Sequence, residues 1–454
     1  MIILFPIGAF LLALAATARG LGFGLVAIFV AGYSSGYIRA NYLGLPTTFM
    51  FDCGVLGLYV GFLVFHFQRT AGIWSGSAAR FLAILILWPM LLTLVPINDF
   101  LVQLVALRAA IWYLPIILIA SRLTTADLTS LARGLAVLNL IALAGGVYVY
   151  LNGIEALYPR SPITELMFRS KDVAGGYYRV PSFFLSAHAY GGTMLGTLPL
   201  LLGRGFDRGV RLWERGLMAV GTVASLAGIL MCSARQPALI FVIATLITWA
   251  CMRFNPIVGA VAAVLVTAAA IAALSNDRLQ RAIATFEDPD QIIERVYGSA
   301  NESSLQLFWH YPAGAGLGSA SSIPYFLVDR APPQISSENE YSRIQVEEGW
   351  VGLFAWLGFL GWLFYRPPRP LLDRPWQLGA IFMFAFALTS WATAIIGTGL
   401  TAAIPGTVLL FTQMGVLVQV RERGTVRAEQ LRRVRPARLP APKPARRPLV
   451  GGRQ

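Results

Sequence analysis

The sequence predicts an all-α fold, a polytopic transmembrane helix bundle with a large outer loop, on three observations. Apolar residues make up 56% of the 454 and charged residues only 13%, where a soluble domain carries about 25% charged residues. Apolar runs recur at close to the roughly 20 residues a helix needs to cross a bilayer. Lysine and arginine alternate from one intervening loop to the next, as the positive-inside rule requires.

Candidate spans lie near 2–17, 21–37, 49–66, 81–97, 102–121, 132–151, 185–203, 214–232, 236–252, 256–274, 349–365, 376–396 and 401–420, which makes 12–13 because the first two are short enough for a re-entrant pair. Residues 1–17 lack a basic start and a clear cleavage site, so they read as part of the mature chain rather than a signal peptide. Residues 1–274 then form the first part of the bundle, with an outer loop at 152–184, and 275–348 form a large periplasmic loop. The C-terminal spans occupy 349–420, and 421–454 form a tail.

Charge sets the expected orientation. With the C-terminus cytoplasmic, the inner loops and tail hold 24 basic against 6 acidic residues, and the outer side 12 against 16. The tail is basic, rich in proline and poor in large apolar residues, which predicts disorder against an anionic inner leaflet. It lacks aromatic interleaving and hangs from a membrane helix, so no nucleic-acid partner is expected. Cys53, Cys232 and Cys251 sit in or at the ends of apolar runs and read as free thiols. The histidines are scattered without metal-ligand spacing, so no metal and no cofactor are expected.

The large loop carries most of the outer polar residues. Asp288-Pro289 reads as a helix N-cap followed by proline at the first helical position. Ile292, Ile293 and Val296, then Leu305, Leu307 and Phe308, recur at near-helical spacing, which predicts amphipathic helices on the outer membrane surface. The segment "GAGLGS" at 314–319 is not a dinucleotide fingerprint, because no strand precedes it. It is either a tight turn back toward the membrane or a place where Gly314 and Gly316 let backbone approach an anionic or sugar ligand.

Arginine placement is more specific. Arg108 lies inside an apolar run and must face protein, water or a charged partner. Arg235 opens a helix a few residues after the preceding one ends, where snorkelling is the alternative to a binding role. Arg278, Arg281 and Arg295 lie in the large loop. Several guanidinium groups facing one outer cavity would suit a pyrophosphate on a membrane lipid.

Three segments, in order, then carry a family resemblance: "CSARQPALIFVIATL", "ERVYGSANESSLQLFWHYPAGAGLGS" and "ENEYSRIQVEEGWVGLFAWLG". The chain resembles the O-antigen ligase and Wzy polymerase family of bacterial polysaccharide membrane enzymes, over most of residues 20–420. It departs from the pattern at Glu338, where many relatives have histidine, and in a longer spacing from Arg295 to Pro312.

The resemblance implies metal-independent, inverting glycosyl transfer on the outer face of the bacterial inner membrane. The implied donor is a polyprenyl-pyrophosphate-linked glycan. The implied acceptor is a hydroxyl of another glycan or of a lipid A core, and the implied partners include other polysaccharide-assembly proteins. On this reading Arg235 and Arg295 stabilise the leaving pyrophosphate, and Glu338 accepts the acceptor's proton. Asn339 and Tyr341 stand beside it, and Arg108, Arg278, Arg281, His188, Gly314 and Gly316 complete the substrate-binding set. His188 and His310 are next in line as the base. Glu347 and Glu348 are expected to pair with basic groups or sit among headgroups, and Glu340 to tolerate replacement. Glu338 in place of the ligase-type histidine favours O-antigen or exopolysaccharide polymerisation over O-antigen ligation or protein glycosylation. A transporter of lipid-linked sugar would predict matching inverted halves, which the sequence lacks.

Overall fold

A computed structural model describes residues 2–70, 76–165, 167–169, 178–207, 209–233, 235–252, 302–320, 323–335, 339–368 and 376–434. The expected span at 256–274, the expected helix start at Asp288-Pro289, and Arg278, Arg281, Arg295 and Glu338 lie outside the described residues. The described residues form an all-α bundle of packed, apolar helices.

The helices are α1 (Leu4–Arg19), α2 (Leu21–Asn41), α3 (Leu45–Thr48), α4 (Met50–Phe65), α5 (Ser77–Thr93), α6 (Phe100–Ile111), α7 (Pro115–Ala120) and α8 (Thr125–Asn152). There follow α9 (Ala187–Gly205), α10 (Leu212–Cys232), α11 (Arg235–Cys251), α12 (Glu302–His310), α13 (Glu340–Phe364), α14 (Gln377–Thr393) and α15 (Gly406–Val434). Among the described residues, five helices are long and apolar enough to cross a membrane: Leu21–Asn41, Phe100–Ala120, Thr125–Asn152, Leu212–Cys232 and Gln377–Ile396. Each falls on an expected span.

Small residues set the helix packing. A bilayer gives apolar side chains no reason to prefer protein to lipid, so close backbone approach has to hold the helices together. Gly54, Gly57 and Gly61 of α4 lie against Ala9, Phe10 and Thr17 of α1, so these helices run parallel. A Cβ at Gly57 would fall 2.3 Å from the Phe10 carbonyl oxygen. Helices α1 and α2 run side by side over their whole length, from Gly24 beside Thr17 at one end to Phe5 against Tyr42 at the other. They form an antiparallel hairpin.

Four helices share one buried polar knot. Tyr33 of α2 donates to Asn139 Oδ1 of α8 at 2.6 Å, and Asn139 Nδ2 lies 2.7 Å from both Thr197 Oγ1 of α9 and Ser225 Oγ of α10. In apolar surroundings such bonds tolerate no slippage by a turn, so the knot pins helix register.

The bundle has two distinct ends. At the basic end Asp127 closes the capping box of α8, accepts from the Gly22 amide and pairs with Arg69 at 3.0 Å. Glu214 joins Arg204 and Arg133 there at 2.8 and 3.0 Å. At the opposite, loop end, Asn98 donates to the Leu317 carbonyl at 3.0 Å, which docks the glycine loop on the α5–α6 turn. One expectation changes: the tail does not begin disordered at residue 421, because α15 continues to Val434. The stretch "RAEQLRR" is made of good helix formers and extends a helix already nucleated in the bundle.

Candidate functional site

Helix α13 starts at the loop end and is broken at Gly349, whose φ of 69° and ψ of −168° are not helical. The break leaves two backbone groups without their usual helical partners, and the glycine loop supplies both. Ala315 N donates to the Val346 carbonyl at 2.6 Å, and Trp350 N donates to the Pro312 carbonyl at 2.9 Å. Gly314, Gly316 and Gly318 all have φ near +90°. A Cβ at Gly314 would lie 2.9 Å from Gly349 N, and one at Gly316 would lie 3.1 Å from the Asn98 side chain. The close approach anticipated for Gly314 and Gly316 is therefore real, but what they approach is this protein's own chain.

The nine residues before the break, outside the span that starts at Gly349, hold a buried ion-pair hub. Arg343 donates through Nη2 to Glu340 Oε1 at 2.8 Å and through Nη1 to Glu347 Oε2 at 2.7 Å. Thr401 Oγ1 bonds both Arg343 and Glu340, at 2.8 and 2.7 Å. Each carboxylate also accepts from loop backbone: Glu340 from Gly399 N at 2.7 Å and Thr401 N at 3.3 Å, and Glu347 from Gly318 N at 3.2 Å and Ala320 N at 3.4 Å. Arg343 thus ties the glycine loop to the segment between α14 and α15.

The electrostatics follow from this arrangement. Burial opposes charge on Arg343, but Glu340 and Glu347 outweigh it and hold its proton above the ordinary arginine range. Burial likewise works against the Glu340 carboxylate, and Arg343 with Thr401 overcomes it, so its pKa falls. Glu348 has no such compensation. Burial, with Glu347 and Glu340 adding and Arg343 opposing, pushes it up to about 8. Its Oε2 is buried without a hydrogen-bond partner, over Gly352.

The expected pairing of Glu347 with a basic group is present. Among the described residues Glu348 has no salt bridge, and its side chain is buried. The expectation for Glu340 is overturned: it is fully buried in the hub, so its replacement takes one of the two carboxylates from Arg343 and leaves two backbone amides without their acceptor.

Beside the hub lies a cavity of about 160 Å³, lined by the starts of α9, α11 and α15, the outer end of α14 and the Gly397–Ala403 segment. Three helix N-termini therefore meet there, each with backbone N–H groups and the positive end of its dipole. Ser186 caps α9, accepting from Ala189 N at 3.1 Å. Ser390 on the cavity wall is 2% exposed, and its Oγ has no hydrogen-bond partner. Glu340 fixes the far wall through Gly399 and Thr401. This arrangement can hold an anionic group with oriented dipoles and neutral hydroxyls.

The site residues expected from sequence fall into three groups. His188 lines the cavity, with its Nε2 3.1 Å from Arg179 Nη1. Arg235 is the first residue of α11, one position before Gln236 on the cavity wall, and its side chain lies outside the described set. Of these two, His188 reaches the cavity and Arg235 adjoins it only along the backbone. A second group has other work: the Asn339 side chain caps α13, accepting from Tyr341 N and Ser342 N, and Tyr341 donates to the Trp391 carbonyl at 2.6 Å. Arg108 lies on α6 and grips Asp52 of α4 at 2.6 and 2.7 Å. The third group, Glu338, Arg278, Arg281 and Arg295, is outside the described residues, although Glu338 directly precedes the α13 N-cap.

Sequence reasoning missed Arg343, Asp52 and Ser390. The i, i+3 and i, i+4 spacing of Glu340, Arg343 and Glu347 was a legible ion-pair signal, whereas nothing local to Asp52 or Ser390 points to their surroundings. Among the described residues no group of three His, Cys, Asp or Glu could hold a metal ion. No protein-family model matches the chain, and no curated protein matches it.

Proposed function

We propose that this membrane protein transfers a glycan from a polyprenyl-pyrophosphate carrier to a sugar hydroxyl at its loop end, as an O-antigen or exopolysaccharide polymerase. The observation that carries the reading is the cavity: three helix N-termini and an unpartnered buried serine converge one residue from Arg235. The leaving pyrophosphate needs its developing charge stabilised, and oriented N–H dipoles with a guanidinium do this without reorganising. In the proposed step the acceptor oxygen bonds the anomeric carbon as the bond to phosphate breaks on the opposite face. The configuration inverts, and the hydroxyl proton passes to Glu338.

The test is a purified-protein assay with a polyprenyl-pyrophosphate-linked repeat unit, following both carrier release and glycan length. Wild type is expected to lengthen glycans as carrier is freed; carrier release with no lengthening, or no reaction, would refute the proposal. Arg235→Ala should slow turnover by about 10²–10³-fold, the usual cost of one charge-stabilising donor. Arg235→Lys should recover little, because it loses the two-pronged fork. Full activity in the lysine variant would make Arg235 a simple charge anchor.

The proposal also requires the loop end to face the periplasm of a bacterial inner membrane and the basic end the cytoplasm. Reporter fusions after Glu302 and after Gly424 are expected to give periplasmic and cytoplasmic signals respectively. The reverse pattern would place the cavity on the wrong side for the donor.

A further inference from the structure

The buried polar side chains around the cavity divide into those already committed and those that are not. Ser186 caps α9 through the Ala189 amide. Thr193 donates to the Ala189 carbonyl at 2.6 Å, and Thr407 to the Leu400 and Ala403 carbonyls at 3.0 Å. Ser390 departs from this pattern. A serine or threonine hydroxyl inside a helix can bond back to the carbonyl four residues earlier. Its neighbours Thr389 and Thr393 do so, to Ala385 and Thr389. The Ser390 Oγ is buried and makes no hydrogen bond.

Gln236, the second residue of α11, faces the same cavity and is also uncommitted. Its side-chain amide makes no hydrogen bond among the described residues. The amide lies across Gly397, where a Cβ would fall 2.7 Å from Nε2 and 3.3 Å from Oε1. A side chain at 397 would displace it, so glycine at that position keeps the amide on the cavity wall.

A buried hydroxyl without a partner carries an uncompensated desolvation cost, which a ligand oxygen would remove. The three helix N-termini favour an anionic ligand. No Asp, Glu, Lys or Arg is among the described residues that line the cavity, so no fixed acid repels one there. Size narrows the choice further. A volume of about 160 Å³ is close to the ~150 Å³ that takes a single benzene ring. That is room for one compact group, not for a sugar and its pyrophosphate together.

We propose that Gln236 and Ser390 read the leaving group of the donor, each donating a hydrogen bond to a pyrophosphate oxygen inside the cavity. The sugar and the acceptor then lie outside it, and recognition of the sugar falls to other residues. The carrier's identity rests on the glycosyl-transfer reading, but the site itself can be tested by binding alone.

Binding can be measured on the full-length protein in nonionic detergent, by equilibrium titration and thermal unfolding. The probes are farnesyl pyrophosphate, farnesyl phosphate, farnesol and inorganic pyrophosphate. Wild type is expected to bind farnesyl pyrophosphate about tenfold more tightly than farnesyl phosphate, because the second phosphate adds charged acceptors. Farnesol should not compete. Gln236→Leu and Ser390→Ala should each weaken farnesyl pyrophosphate binding about tenfold, the effect of losing one hydrogen bond to a charged group. Gln236→Glu should weaken it further, since a carboxylate there repels the anion. Tighter binding in that variant would overturn the proposal.

The unliganded Ser390→Ala protein should unfold no earlier than wild type, because no hydrogen bond is lost. Earlier unfolding would make Ser390 structural and count against the site. Inorganic pyrophosphate binding that depends on both residues would support the site and place its affinity in the anion rather than the prenyl chain. Turnover separates this inference from the glycosyl-transfer reading. In the transfer assay both variants should raise KM for the lipid-linked donor. Farnesyl pyrophosphate binding that depends on both residues, in a protein that transfers no glycan, would sink the transfer reading and support this site. Transfer with wild-type KM in both variants would overturn this inference and leave the transfer reading standing. Farnesyl pyrophosphate binding that neither substitution changes would overturn it as well.

Discussion

Arg343→Met is expected to destabilise the protein by about 3–5 kcal/mol, the usual cost of removing one partner from a buried ion pair. The side chain is 9% exposed, and Glu340 and Glu347 on either side of it are at most 1% exposed, so neither carboxylate can turn to water. Without Arg343 the two acids keep their backbone donors and lose the positive charge between them. Because they pin the glycine loop and the Gly399–Thr401 segment, the damage should reach both. Thermal unfolding in detergent checks the first effect, and amide hydrogen exchange in those two segments checks the second. Adding Glu340→Gln and Glu347→Gln to Arg343→Met should restore part of the lost stability, since the uncompensated charges are then gone. An Arg343→Met protein that unfolds like wild type would mean the hub contributes nothing net.

Glu338→Gln is expected to lower turnover by about 10²–10⁴-fold, the span typical of losing a general base. Glutamine keeps the size and much of the hydrogen bonding of glutamate but cannot take the acceptor's proton. Donor retention should change little, because the proposal gives the pyrophosphate to the cavity and Arg235. Glu340 is ruled out as the control by its place in the hub. Glu155, whose side chain is 66% exposed in the 152–184 loop, serves instead, and Glu155→Gln should behave as wild type. Near-normal turnover in Glu338→Gln would move the search for the base to His188, which lines the cavity.

The helices were legible because bilayer thickness sets their length and composition marks them out. Expected spans at 214–232 and 236–252 became helices at Leu212–Cys232 and Arg235–Cys251. That His188 and the start of α11 would meet at one cavity was not legible, because 47 positions separate His188 from Arg235 in the chain. The glycine loop was readable as either a turn or a ligand contact, and its partner within the chain was not legible. That a kink at Gly349 would need the backbone of Pro312 and Ala315 depends on a contact between segments more than thirty residues apart.

Glu340 and Glu348 show the same boundary from the other side. By sequence alone the four acids at 338–348 differ little, since each stands near polar residues at the mouth of an apolar run. The sequence by itself determined an all-α membrane bundle, its helix order and its polarity of charge, because each depends on local hydropathy and on counting residues. Only the tertiary structure decided that Glu340 and Glu347 are the buried partners of Arg343, that Glu348 Oε2 is buried without a hydrogen bond, and that Arg108 already has its acid. Those are questions of burial and distance. The energy of a charge depends on which distant chain excludes water from it and which donors that chain brings, and neither is written in the neighbouring residues.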